Sequence, residues 1–312
     1  YRMTIAETSN NNIIKSNTVQ NHHFYGIYTN GGENNLIEGN DVNRSTKTDV
    51  TTFYGIYTTG TTPGLKITSN KVHTPGGTVV GSISAVYMIY LGGDATAANP
   101  VIVSNNLMYN INQGGVIYGL YVTTAAYNKV FHNTVDIADI RTGTSNNAGI
   151  YAIGTNTGTV YYNNNISITG GGNGNKYGTY YNVATSLEDA QKNNIYLNSS
   201  QTGDQIYAYL TTEFPTQTVF HAAFPGYEVS SPTANPGFVN AAAGNFTPTN
   251  YQLIGTGSNV FADVPVDING TARSAAPTIG AVEVPPVNAN DAAMMNMLQP
   301  VGNLCATIAP LQ

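Results

Sequence analysis

Short apolar segments alternate with polar turn residues along most of the chain. The apolar runs are rich in β-branched and aromatic side chains and are separated by Gly, Asn, Asp and Thr. Such runs are typical of strands, because an amphipathic helix needs apolar residues at a period of about 3.6. The pattern therefore predicts two or three short strands between successive turns, and an all-β fold.

One tetrapeptide, Tyr-Gly-Ile-Tyr, recurs with small changes every 29 to 33 residues. Its copies occupy residues 25–28, 54–57, 87–90, 118–121, 148–151 and 177–180, with a degenerate copy at 206–209. Repetition at this period indicates a repeat architecture, in which each repeat buries its apolar face against its neighbours. Together with the strand pattern, it predicts a parallel β-solenoid of about seven coils stacked about 4.8 Å apart.

A second landmark runs in step with the first. It is an asparagine followed two positions later by an apolar residue, at Asn17, Asn40, Asn70, Asn106, Asn133, Asn164 and Asn193. Asparagine tolerates turn conformations, and its amide both donates and accepts hydrogen bonds. We therefore predict an asparagine ladder at one corner of the solenoid, with the apolar residue of each pair pointing into the core.

Phrases such as YGIYTTG…LKITSNKV and NNLIEGNDV resemble the repeats of the right-handed parallel β-helix family, the pectate-lyase-like solenoids. The resemblance covers about residues 1–209 and implies a right-handed, single-stranded β-helix. It also implies a setting in large secreted or cell-surface proteins, as in Bacteroidota. Because the first residues already lie within a repeat, we expect a longer polypeptide whose secretion signal is not in this sequence.

The periodicity ends near residue 210. Residues 210–284 contain three phrases, Pro236–Phe238, Asp267–Arg273 and Pro277–Glu283, that resemble the closing segment of secreted β-helix proteins. We expect this segment to cap the solenoid, because the last coil would otherwise expose an unpaired strand edge. Residues 285–312 resemble a linker and the start of a β-sandwich-like module.

Composition narrows the possible partners. Only 9% of the residues are charged, and the net charge is −6 with 11 Lys and Arg. This balance argues against nucleic acid, which requires cationic neutralisation of phosphates. No apolar run of about 18 residues is present, which argues against membrane insertion. The single cysteine, Cys305, excludes a disulfide framework.

No catalytic or metal-binding constellation emerges from the sequence. Glu33, Glu38 and Asp41 form the densest acidic group, but stacking of the coils places Lys15 beside Glu38 and Lys71 beside Asp41. These are expected to be surface ion pairs. The five histidines lack metal-ligand spacing, and we predict no metal and no cofactor.

The tyrosines are the unusual surface feature. If Ile27 and its equivalents point inward, strand alternation directs the last residue of each tetrapeptide outward. The candidate ligand-binding residues are Tyr28, Tyr57, Tyr90, Tyr121, Tyr151 and Tyr180. Alternation also places the glycines two positions earlier (Gly26, Gly55, Gly119, Gly149 and Gly178) on the outer face, as a groove beside the rings. In the alternative interpretation, the tyrosine ladder only stabilises the sheet.

The sequence thus favours a non-catalytic structural or adhesive module of a secreted or cell-surface protein. Its expected partners are polysaccharides or cell-surface glycans bound by the tyrosines, or other modules of the same chain. The alternative is a carbohydrate-active enzyme on the same fold, either a polysaccharide lyase or a glycoside hydrolase. It rests on the resemblance alone.

Overall fold

A computed structural model describes residues 3–6, 9–79 and 81–285 as a parallel β-solenoid. Successive coils each add one strand to three sheets, A, B and C, which is the all-β architecture predicted from the repeat. Residues 286–312, which include nearly all of the predicted linker and following module, lie outside the described residues.

The three sheets contain nine, seven and seven strands. Sheet A consists of β1 (Met3–Ile5), β4 (Tyr25–Asn30), β7 (Phe53–Thr61), β10 (Val86–Asp94), β13 (Ile117–Thr123), β16 (Asn147–Ile153), β19 (Lys176–Tyr181), β22 (Gln205–Leu210) and β23 (Thr212–Phe214). Sheet B consists of β2 (Ile13–Lys15), β5 (Leu36–Glu38), β8 (Lys66–Thr68), β11 (Val101–Ser104), β14 (Asn128–Phe131), β17 (Val160–Tyr162) and β20 (Asp189–Gln191). Sheet C consists of β3 (Thr18–Gln20), β6 (Asp41–Asn43), β9 (Lys71–His73), β12 (Leu107–Tyr109), β15 (Thr134–Ile137), β18 (Asn165–Ile168) and β21 (Asn194–Leu197). One helix, α1 (Gln217–Ala223), and two short 3₁₀ turns (Ala184–Ser186 and Ala241–Ala243) complete the described elements.

Equivalent residues of successive coils lie directly above one another. In sheet A, Ile27 pairs with Ile56, which in turn pairs with Ile89 in the next coil, and all three are fully buried. In sheet C, Val42 and Val72 form a second buried column. Most members of each column are aliphatic, so the apolar core is continuous along the solenoid axis.

The corner between sheets B and C contains the seven predicted ladder asparagines. Within this row, the backbone N–H and the Nδ2 of each asparagine donate to Oδ1 of the asparagine in the next coil, at 2.9–3.1 Å. From the second coil onward, Nδ2 also donates to a carbonyl of the preceding coil, as Asn106 does to Ile67 at 2.9 Å. The residue before each ladder asparagine is left-handed, with φ between 55° and 63°, and this produces the corner.

A buried glutamate terminates the ladder. Asn193, in the last coil of the row, donates from its backbone N–H and its Nδ2 to the two carboxylate oxygens of Glu228, at 3.2 and 2.7 Å. Ser231 Oγ donates to the same carboxylate at 2.6 Å. Glu228 therefore takes the place of the next asparagine, and burial raises its pKa from 4.5 to about 7.

The predicted capping segment divides into two parts with different positions. Residues 211–232 close the end of the solenoid: β23 pairs antiparallel with β22, and Phe220 of α1 is buried against Phe214. Residues 233–285, which we call the strap, fold back along the side of the solenoid. Phe246 of the strap packs on Tyr109, with ring centroids 5.0 Å apart. The strap therefore covers part of the outer face of sheet C.

A buried ion pair holds the strap together and joins it to the corner. Arg273 Nη1 and Glu283 Oε2 are 3.0 Å apart, and both side chains are 1% exposed. Arg273 Nη2 also donates to Oδ1 of Asn105, at 2.7 Å. Asn105 is one of the left-handed corner residues, so its conformation aims its amide at the strap.

Removal of one ladder amide is expected to destabilise the whole solenoid. Asn106→Ala takes away the acceptor of the backbone N–H and Nδ2 of Asn70, both buried. We expect a loss of about 2–4 kcal/mol in the free energy of unfolding, measured by urea denaturation followed by circular dichroism. The control is Asn269→Ala, at an exposed turn residue. Equal stability of the two variants would contradict the ladder's role.

Glu228 makes stability depend on pH in a predictable direction. Its carboxyl has a higher pKa in the folded than in the unfolded protein, so between about pH 4.5 and 7 the folded state binds the extra proton. The contribution of this carboxyl to the free energy of unfolding is therefore fully present below pH 4.5 and is lost as the pH rises towards 7. We expect Glu228→Gln to remove this fall, about 3 kcal/mol at most. The measurement is the unfolding free energy of both proteins from pH 4 to 8. If the two proteins showed the same dependence of unfolding free energy on pH, the proposed effect of Glu228 would be wrong.

Candidate functional site

Both tyrosines of the repeated tetrapeptide lie on the outer face of sheet A. The ring centroids of Tyr25 and Tyr28 are 5.3 Å apart, while Gly26 and Ile27 between them are buried. Register repeats this arrangement in each coil and produces two columns. The first column consists of Tyr25, Tyr54, Tyr87, Tyr118 and Tyr177, and the second of Tyr28, Tyr57, Tyr90, Tyr121, Tyr151, Tyr180 and Tyr209.

The prediction that the glycines form an outer groove is wrong. A Cβ atom added to Gly26 would lie 2.5 Å from Cγ1 of the core residue Val42, and one added to Gly119 would lie 2.5 Å from Cγ1 of Val135. Met88, at the equivalent position of the third copy, is fully buried. The strand does not alternate strictly here: two consecutive residues of each tetrapeptide face inward, and glycine fits where the core side chain of sheet C approaches.

The second column is a continuous stack of half-buried rings. Successive centroids are 4.2–5.5 Å apart, with interplanar angles of 5–19°. Each ring face is therefore covered by the ring of the next coil, and mainly the edges face solvent. The column offers phenol groups at the spacing of the coils, and within it the ring faces are not available for stacking on a ligand.

Several phenols of this surface have a raised pKa. Burial, together with the smaller effect of neighbouring tyrosines, raises the pKa of Tyr54 and of Tyr121 to about 12. The pKa of Tyr57 and of Tyr90 is raised for the same reason. The hydroxyls are thus neutral groups that both donate and accept hydrogen bonds, and they are unsuited to act as bases near pH 7.

Two of the three acidic side chains singled out in the sequence, Glu38 and Asp41, have basic partners. Lys15 Nζ lies 2.9 Å from Glu38, as the stacking predicts. Asp41 is in register with Lys71, but its side-chain hydrogen-bond partner is Nε2 of His73, at 3.0 Å. This hydrogen bond holds the pKa of Asp41 below its usual value. The expected pairing of Asp41 with Lys71 is therefore replaced by one with a histidine two positions along the strand.

Two further features bear on catalysis. Burial raises the pKa of Asp136 to about 6, although Ser167 is hydrogen-bonded to it. Within the described part of the chain, no group of three or more His, Cys, Asp or Glu side chains is arranged to hold a metal ion. The predicted acidic group and Asp136 do not form a paired acid and base on one open face, because Asp41 is engaged with His73 and Asp136 is buried.

Sequence reasoning missed the first tyrosine column. Its signal was present, since the first residue of the tetrapeptide is tyrosine in five copies. Strict alternation, however, would have placed Tyr25 opposite Tyr28 and not beside it. Because two inward residues separate them, the two columns form one aromatic surface.

Comparison with known proteins adds one similar structure. No family model and no curated protein matches the sequence. The crystal structure of pectate lyase Pel9A matches over 85% of this chain and 69% of its own length, at 13% identity and a TM-score of 0.30. A match at this level leaves the chemistry to the residues of this chain. Among the described residues, no helix is long and apolar enough to cross a membrane.

The inward orientation of the glycines can be tested directly. Gly119→Ala forces a methyl group against Val135 and the carbonyl of Gly149, 2.6 Å away. We expect it to lower the free energy of unfolding by about 1–3 kcal/mol, measured by denaturant unfolding. Gly226→Ala, at an exposed position with nothing within 4 Å of the added Cβ, should change it by less than about 0.5 kcal/mol. If Gly119→Ala were equally harmless, the glycine would face outward.

Proposed function

We propose that the chain is a non-catalytic β-helix module that binds glycans through the tyrosine surface of sheet A. The observation that carries the proposal is the second column, seven half-exposed phenols in register on one face. Tyrosine combines an apolar ring with a polar tip and is enriched where proteins meet partners. A glycan is an extended, hydroxyl-rich ligand, and it suits an extended row of neutral donors and acceptors.

The electrostatics of the surface favour binding over catalysis. Burial raises the pKa of Tyr54, Tyr57, Tyr90 and Tyr121, so proton transfer from these phenols near pH 7 is disfavoured. Outside this surface, on sheets B and C, Glu38 and Asp41 are hydrogen-bonded to Lys15 and His73. A surface of this kind holds a ligand by many weak neutral contacts.

The architecture supports a structural or adhesive role in a secreted or cell-surface protein. The stacked rings and the amide ladder make the tyrosine surface rigid before any ligand arrives, which lowers the entropic cost of binding. The strap packs on sheet C, whereas the tyrosines lie on sheet A. The outer face of sheet C therefore serves internal packing, and the outer face of sheet A is left for a ligand. Polysaccharides or cell-surface glycans are the proposed partners, and other modules of the same chain are the alternative occupants.

A carbohydrate-active enzyme, either a polysaccharide lyase or a glycoside hydrolase, is the second candidate. The observation that favours a lyase is His73, which is oriented by Asp41 at 3.0 Å and lies in the same strand as Lys71. A histidine held by a carboxylate and close to a cation has the parts of a general base beside an anion-binding group. On this hypothesis His73→Ala abolishes turnover.

The proposed function is tested by removing hydroxyls while keeping the rings. We expect Tyr57→Phe, Tyr90→Phe and Tyr121→Phe together to weaken glycan binding at least tenfold, with unfolding stability nearly unchanged because the ring stack is retained. Glycan-array binding and titration calorimetry provide the measurement. Tyr251→Phe is the matched control, at a tyrosine that is 71% exposed and lies outside the columns.

Two results would count against this function. Undiminished binding by the triple variant would show that the columns only stabilise the sheet. Release of unsaturated product from pectin, alginate or glycosaminoglycans, read by ultraviolet absorbance, would establish the lyase instead.

A further inference from the structure

The first tyrosine column is interrupted at one coil. Ala148 pairs in register with Tyr118 on one side and with Tyr177 on the other, so a methyl group stands where a ring would complete the column. Tyr118 has ring contacts with Tyr87, Tyr121 and Tyr151, and Tyr177 has them with Tyr180 and Tyr209. The ring faces of Tyr118 and Tyr177 that point towards Ala148 are therefore not covered by a ring of their own column.

The interruption creates a notch of about 130 Å³ that is open to solvent. Its lining consists of Tyr118, Asn146, Asn147, Tyr151, Tyr177 and Tyr180, with Ala148 at the base. A cavity of about 150 Å³ in a protein core holds one benzene molecule. The notch is thus sized for a single six-membered ring, and coil spacing explains why, since one ring has been left out of a regular stack.

The same coil also changes the polarity beneath the column. The residue before the first tyrosine is Phe53, Val86 and Ile117 in the preceding coils, all fully buried and apolar. In this coil it is Asn147, which is also fully buried. Its Nδ2 donates to the carbonyl of Gly171, whereas its Oδ1 has no hydrogen-bond partner among the described residues. A buried acceptor without a donor is unfavourable, so the layer beneath the column is less well satisfied at this coil than at the coils before it.

Charge around the notch selects the class of ligand. The lining of the notch consists of tyrosine, asparagine and alanine, without Lys, Arg, His, Asp or Glu. Beside it, the carboxylate of Glu213 accepts a hydrogen bond from the hydroxyl of Tyr177 at 2.9 Å. An anionic sugar would be repelled by this carboxylate and find no cation in the lining, whereas a neutral sugar meets rings and amides.

We propose that this notch is the specificity subsite for one neutral pyranose ring of a bound glycan. The ring enters between Tyr118 and Tyr177, with its C–H faces against the two phenol rings and Ala148 at its base. The neighbouring sugars lie along the second column, past Tyr151 and Tyr180. This inference deepens the proposed function and rests on it, because the column supplies the rest of the glycan contact.

Filling the notch tests the inference. Ala148→Tyr restores the ring that the other coils have and is expected to weaken binding of neutral tetrasaccharides (cellotetraose, mannotetraose) at least tenfold, by titration calorimetry. Wild-type protein is expected to bind one of these more tightly than tetragalacturonate. Circular dichroism and unfolding stability of Ala148→Tyr should remain at least as high as in the wild type.

A second pair of variants truncates a tyrosine side chain, whereas Ala148→Tyr adds a ring. Tyr177→Ala takes away one wall of the notch and should also weaken binding tenfold, whereas Tyr251→Ala, at an exposed tyrosine outside the columns, should not.

The outcomes separate this inference from the proposed function. If Ala148→Tyr binds glycans as tightly as the wild-type protein, the subsite is wrong. The tyrosine columns would then remain the binding surface. Failure of the wild type to bind any neutral or acidic glycan overturns both proposals, and tighter binding of tetragalacturonate overturns the assignment to neutral sugars.

Discussion

The amide-to-amide hydrogen bond at the corner between sheets B and C is the interaction on which the rest of the structure depends. Each ladder asparagine accepts from the coil before it and donates to the coil after it, so its donors and acceptor are satisfied within a buried row. A slip of one residue would break this row and turn every strand over. The ladder therefore sets the register of all three sheets, and Glu228 ends it by supplying the acceptor that the next coil would have provided.

Register in turn creates the tyrosine surface. Rings that recur at the same position in each coil must stack when the coils are in register, and the resulting phenol edges form a regular outer face. The coil of Ala148 is the exception to this regularity, because it has no tyrosine in the first column. Ala148 leaves a ring-sized notch in the column, and in the same coil Asn147 places a buried, unsatisfied acceptor in the layer beneath it.

The C-terminal part of the chain determines how the other faces are used. A buried Arg273–Glu283 pair organises the strap, and removal of either partner would leave a buried charge uncompensated. The strap uses corner residues of the ladder, Asn105 and Asn163, as hydrogen-bond partners. Sheet C is thereby committed to internal packing over the coils that the strap reaches, while the phenols of sheet A remain half-exposed.

The sequence by itself determined the solenoid, the spacing of its coils, the asparagine row and the inward columns such as Ile27 and Val42, because these depend on residues that repeat at a constant interval. Tertiary structure alone decided three other matters. Gly26 faces inward because the strand departs from strict alternation, and Asp41 pairs with His73 because side-chain reach outweighs backbone register. The strap joins Arg273 to Asn105, which is 168 positions away, and no periodic signal records that contact. The notch at Ala148 belongs to both: the substitution is visible in the sequence, but its meaning depends on what stacks above and below it.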